Sequence, residues 1–217
     1  MKTILIYKFD YPVSQDEINV SLERVKRHYY QSYKMNFKMS GQGWVDSQIG
    51  VYIWDDENSP SQWPSWVEEN HLGVATVYPP ANWEEISGTS KIEAAPLRLF
   101  EKLRLDSKLI SKLSPPLVLA GYDRSQQEIT LFTDSIGIGR MYELRTEHGW
   151  VWSNRIGALP IFSGVEPKID ENAWSIFAGA GWFMGQTTPL QGVRRLKPST
   201  KITIDASSSK PRIVERV

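Results

Sequence analysis

Apolar and polar positions change period several times along this chain, and each change predicts an element. Leu117 to Ala120 is apolar at every position, the pattern of a strand covered on both faces. Asp123-Arg124-Ser125-Gln126 then supplies turn chemistry, and Ile129 to Phe132 is β-prone. Met141 to Arg145 alternates, and Trp150-Val151-Trp152 follows a turn signal at His148-Gly149. Four runs this short, joined by connections this short, predict an antiparallel meander rather than βαβ units. A sheet buried on both faces needs a second layer on each side.

The rest of the chain reads as packing around that stretch. Lys2 to Phe9 predicts a first strand. Ser14 and Glu17 form a capping box, and Ile18, Leu22, Val25 and Tyr29 then recur at helical spacing through about Tyr33. Met35, Phe37 and Met39 alternate with polar residues, which predicts a half-buried strand ending at Gly41. Gln48 to Trp54 predicts another strand, Asp55 to Trp66 a loop, and Leu72 to Tyr78 a strand stopped by Pro79-Pro80. Pro96 suits the first turn of a helix that carries Leu97, Phe100, Leu103 and Leu105. A shorter helix over Asp106 to Leu113 ends before Pro115-Pro116. Asp170 caps a helix over Glu171 to Ala178, which the glycines at 179, 181 and 185 end. Ile202-Thr203-Ile204 and Ile213-Val214 predict closing strands about Ser207-Ser208-Ser209. No repeat and no long linker divides the chain, so residues 1–217 are expected to form a single domain.

Charge excludes two partner classes. Lys and Arg together number 25 and Asp and Glu 25, so neither a nucleic acid nor an anionic membrane has an electrostatic footprint here. No run of 18 apolar residues exists, and the apolar start meets charge again at Lys8 and Asp10, too soon for a signal-peptide core. The absence of cysteine rules out disulfides and thiolate metal sites and fits a reducing, cytoplasmic compartment. His28, His71 and His148 are scattered without metal-ligand spacing. The adjacent pairs Glu68-Glu69 and Glu84-Glu85 diverge and form no acid–base dyad. Asp55-Asp56-Glu57 reads as a solvated loop rather than a cation site. Arg194-Arg195 before Lys197 reads as a solvated turn rather than a phosphate grip.

The sharpest local feature is Asp134-Ser135-Ile136-Gly137-Ile138-Gly139-Arg140-Met141-Tyr142. Two glycines two residues apart let the chain take φ > 0 or approach another backbone closely. A flanking Asp and Arg can satisfy the backbone groups of the turn, or hold a ligand there. The structural turn, built from Asp134, Gly137, Gly139, Arg140 and Tyr142, is the favoured reading over a phosphate or substrate loop. It lacks the third Gly and the following helix of a dinucleotide fingerprint. Asp134 is expected to accept backbone N–H bonds, with Tyr142 buried beside it.

Taken in order, several motifs resemble one family. They are Tyr122-Asp123; Asp134, Gly137-Ile138 and Tyr142; Trp152-Ser153; Ile169 to Ala173; Gly192 to Pro198; and Ile202 to Asp205. Together they resemble the asparagine synthetase family over roughly residues 110–205, in its N-terminal class II glutamine amidotransferase domain. Residues 1–90 carry no such match. The resemblance implies an N-terminal-nucleophile fold: α+β, two antiparallel sheets between helical layers, αββα. It also implies a nucleophilic Cys at the mature N-terminus, Ser or Thr being used elsewhere in the fold, with its own α-amino group as base. This sequence departs from that pattern. Residue 2 is Lys, which should prevent removal of Met1 and keep Thr3 from being a terminus. The family's Arg-Leu-Ser segment and Asn-Gly pair are missing, Gly88-Thr89-Ser90-Lys91 carries no substrate-holding Asp, and Gly139-Arg140 replaces a basic residue and Pro.

The expected function is therefore that of a glutaminase-like domain without catalytic residues or a cofactor of its own. Its implied partner is an ATP- and Mg-using synthetase domain, in the same or a separate chain. The synthetase's Ser-Gly-Gly-x-Asp-Ser loop is missing from this sequence. Either the chain is the N-terminal part of a longer amide ligase, cut after Asp205, or it is free-standing. β-Lactam synthetases and lasso-peptide cyclases resemble the first arrangement. The competing reading is a free-standing binding or interaction module with no enzymatic activity.

Overall fold

A computed structural model of the protein describes residues 2–33, 39–56, 62–208 and 210–215. β1 (Thr3–Phe9), α1 (Gln15–Tyr33), β2 (Met39–Val45) and β3 (Ile49–Asp56) come first. β4 (Trp66–Glu69), β5 (Leu72–Thr76), α2 (Trp83–Ser87) and α3 (Ala95–Leu105) follow, then a 3-10 turn over Ser107–Lys112. The second half holds β6 (Val118–Asp123), β7 (Glu128–Thr133), β8 (Tyr142–Thr146), β9 (Gly149–Ser153), α4 (Ala158–Ser163) and α5 (Glu171–Ala180). β10 (Val193–Arg195), β11 (Thr200–Asp205) and β12 (Arg212–Glu215) close it. No helix of the described residues is long and apolar enough to cross a membrane.

The strands build two six-stranded sheets, in the orders β10-β8-β9-β1-β3-β2 and β12-β11-β7-β6-β5-β4. Ladder pairings among the described residues are antiparallel. Strand alternation divides the core into three. Ile4 and Ile6 of β1 meet Val118 and Ala120 of β6 between the sheets. Leu5 and Tyr7, on the other face of β1, pack under Ile18, Leu22 and Val25 of α1 and under α4. Leu119 and Phe132 pack under Leu97, Phe100 and Leu103 of α3. The result is α+β, a four-layer αββα sandwich, and the all-apolar run at Leu117 exists because its strand is sandwiched on both sides.

Local chemistry sets the element ends as the sequence predicts. The Glu17 N–H donates to Ser14 Oγ and the Ser14 N–H to Glu17 Oε2, each at 3.3 Å, the reciprocal bonds of a capping box. Asp170 accepts from the Ala173 N–H at 2.9 Å and starts α5.

Several expectations are corrected. The four central runs are not one meander: β6–β7 and β8–β9 are separate hairpins in different sheets. Asp55 and Asp56 belong to β3 and Trp66 to β4, so the expected loop is shorter. Met35 and Phe37 lie outside the described residues, and β2 runs through Gly41 to Val45. Leu105 is 90% exposed, and Leu99 fills the core in its place. Gly179 lies within α5, which Gly181 ends in the left-handed region. Arg194 and Arg195 form β10 rather than a solvated turn.

Candidate functional site

The Asp134 turn carries the chain from β7 in one sheet to β8 in the other. The Asp134 carboxylate is fully buried and accepts from five backbone N–H groups. Oδ1 takes Ile136 (3.1 Å), Gly137 and Ile138 (3.1 Å), and Oδ2 takes Gly139 (2.5 Å) and Leu117 (3.1 Å). The two glycines serve different ends. Gly137 sits at φ +78°, in the left-handed region, whereas a Cβ on Gly139 would lie 2.3 Å from the Leu117 carbonyl oxygen. The Gly192–Pro198 motif packs against the same turn. Leu196 N–H donates to the Met141 carbonyl at 2.8 Å, Ser199 N–H to the Asp134 carbonyl at 2.8 Å, and Thr133 Oγ1 to the Lys197 carbonyl at 3.2 Å.

Past the turn the predicted residues part. Arg140 is exposed, and Tyr142 is half-buried rather than buried. Both line a cavity of about 670 Å³ together with Phe177, Trp182, Phe183 and Arg195. Asp134, Gly137 and Gly139 stay behind it and hold the turn. Sequence alone weighs Arg194-Arg195 as a phosphate grip and sets it aside, and it misses the aromatic wall. Phe177 and Phe183 stack at 4.8 Å, and Trp174 sets its edge on each at 5.3 Å. The signal lay in the segment Trp174 to Met184, which is unusually rich in aromatic residues and glycine for a helix end.

Beneath, on the β8–β10 ladder, Glu143 is buried and accepts from Trp152 Nε1 at 2.7 Å and Arg194 Nε at 2.6 Å. Arg194 is thus committed to the sheet, and Arg195 is left to the cavity, where its Nη2 donates to the Gly185 carbonyl at 2.8 Å.

The start of β1 is where the resemblance implies a nucleophile. Here the Lys2 ammonium is buried, donates to the Trp63 carbonyl and lies 3.8 Å from Asp55 Oδ2. Burial pulls its pKa below the usual lysine value, and Asp55 draws it partway back. Thr3 is fully buried and its Oγ1 has no hydrogen-bond partner among the described residues. Asn154 clamps the strand end, accepting from the Ile4 N–H at 2.9 Å and donating to the Lys2 carbonyl at 3.2 Å. In this arrangement the Thr3 hydroxyl has no open path to a substrate.

The fold these elements define is the N-terminal-nucleophile-type fold of class II glutamine amidotransferases. No protein-family model and no curated protein matches the sequence, but solved structures do. Glutamine phosphoribosylpyrophosphate amidotransferase from B. subtilis, complexed with ADP and GMP, aligns with 99% of this chain and 49% of its own, at 10% identity and a TM-score of 0.58. A structure described as the allosteric regulatory enzyme of purine biosynthesis aligns with 99% of this chain and 49% of its own, at 10% identity and a TM-score of 0.57. The chain spans about half the length of these structures. At that identity the likeness is one of fold.

Proposed function

We propose that this chain is a glutaminase-like domain without glutaminase chemistry, serving as structural support for an asparagine-synthetase-like amide ligase. The observation that carries the reading is the start of β1. The buried ammonium of Lys2 stands there, the neighbouring Thr3 hydroxyl is sealed in the core, and the sequence contains no cysteine. An N-terminal-nucleophile reaction needs an exposed nucleophile beside a free amine. In the ligase, the synthetase partner would use ATP and Mg to activate a carboxylate as an acyl-adenylate. The attacking amine is then ammonia from solution or an amine of the substrate itself, and ring closure by lactam or macrocycle formation is the preferred branch. The fold's relatives extending to twice this length support a further domain. The test is glutamate release from glutamine by the purified protein, expected at the buffer rate. Release above that rate, abolished by Thr3→Ala, would overturn the reading.

A second reading, a free-standing binding module of the same fold, is favoured by the cavity beside the Asp134 turn.

A further inference from the structure

The cavity at Arg140 combines an aromatic wall with a cationic lining. Its wall is aromatic, with Phe177 and Phe183 stacked on one side and Trp182, 64% exposed, at the surface. The charged groups in its lining are both arginines. Arg140 makes no ion pair or hydrogen bond among the described residues, and the Tyr142 hydroxyl has no partner there either. Arg195 spends one donor on the Gly185 carbonyl and keeps others of its five. No Asp or Glu lines the cavity, so two guanidinium charges face it uncompensated. Its volume of about 670 Å³ lies within the range of small-molecule sites.

We propose that this cavity binds a small planar aromatic monoanion, its ring against the Phe177–Phe183–Trp182 wall and its carboxylate or sulfonate on Arg140 and Arg195. Guanidinium geometry suits the paired oxygens that a carboxylate or a sulfonate presents, and an aromatic body gains from stacking on the wall and from contact with the arginine planes. A neutral aromatic would leave both charges without a partner, and a small inorganic anion would leave the wall wet. The site lies away from the start of β1, so this inference stands or falls independently of glutaminase chemistry.

The test is fluorescence titration of the 217-residue chain with 8-anilinonaphthalene-1-sulfonate and, separately, with N-phenyl-1-naphthylamine, which has the same rings without the charge. The expected result is saturable one-to-one binding of the anion, tighter than that of the neutral dye and reversed by naphthalene-2-carboxylate. Arg140→Ala should weaken the anion about fivefold, the scale of an exposed ion pair, and leave the neutral dye unchanged. Arg140→Lys should retain part of the preference, and Trp182→Ala should weaken both dyes. Because Arg140 has no partner to lose, its variants should melt with the parent protein. Equal affinity for the two dyes, non-saturating binding, or an Arg140→Ala variant indistinguishable from the parent would overturn the proposal.

Discussion

Removing the Asp134 carboxylate is the most informative single perturbation of this fold. Its five N–H donors divide by burial. Ile136 and Ile138 are exposed and Gly137 is half-buried, so water can replace Oδ1 when the side chain is cut back to Ala. Leu117 and Gly139 are buried, and their N–H groups, both on Oδ2, would have no substitute. A buried donor left unpaired costs about 1–3 kcal/mol, so the pair costs about 2–6 kcal/mol. That is a large share of the about 5–15 kcal/mol that holds a typical domain, and it should lower the melting midpoint by roughly 5–20 °C. Asp134→Asn separates this account from a general loss of contact. An amide can point its oxygen at only one of the two donor groups, so its NH₂ meets either the Oδ1 set or the Leu117–Gly139 pair donor to donor. Asn should therefore rescue little. The control is Glu101→Ala, whose partner Arg98 lies on the open face of α3, where such pairs are worth about 0–1 kcal/mol. Urea and thermal unfolding of the three variants decide the matter. If Asp134→Ala unfolds within error of Glu101→Ala, or if Asn restores parental stability, the turn is not held as described.

Two further outcomes concern the two ends of the β6–β7 hairpin. Gly139→Ala should be more damaging than Gly137→Ala in urea unfolding, because its Cβ would strike the Leu117 carbonyl whereas the Gly137 Cβ would lie 3.2 Å from the Pro198 ring; the reverse order would refute the assignment of a close approach to one and left-handed backbone to the other. Burial pushes the Asp123 carboxyl up, but the Ser125 hydroxyl and the Arg104 guanidinium outweigh it and hold the pKa below the ordinary value. A lowered carboxyl stabilises the fold in full above about pH 4 and loses that contribution as pH falls through the folded-state value. Asp123→Asn should thus be less stable than the parent at pH 7, and the gap should close in urea titrations taken to acid pH; a gap independent of pH would refute it.

What the sequence disclosed was what short-range chemistry decides. The Leu117 N–H reaches Asp134 from 17 positions away, whereas the Ser14–Glu17 box, the Asp170 cap and the bonds to Asp134 from residues 136–139 each span five positions or fewer and were readable. The same holds for both hairpins of the central stretch. Which sheet each hairpin joins is decided elsewhere, by β1 pairing with β9 and by β11 pairing with β7, and no local pattern announces that. β4, β10 and α2 are too short to show a period. α4 is only six residues long and carries Pro160 at its third position, so it showed no helical period. The Lys2 site escaped because Trp63 and Asp55 reach it from more than fifty residues away. Leu105 follows Leu103 by two residues, about 200° around the helix, and so points outward although it is still within α3.

The pairing of β1 also fixes an order of events at the ribosome. β3 can join β1 almost at once, but β9, its other neighbour, is residues 149–153. At about 5–20 residues per second, that partner emerges on the order of ten seconds later. Throughout the wait β1 offers an open edge carrying Ile4, Leu5 and Ile6, the kind of strand that recruits other chains. Lys2 precedes it and Lys8 sits near its end, both buried in the finished fold at a cost that pulls both ammonium groups below their usual pKa. In the nascent chain the same two side chains are hydrated charges bracketing an unguarded edge. Lysines that burden the native state thus stand where charge discourages an open strand edge from pairing with other chains.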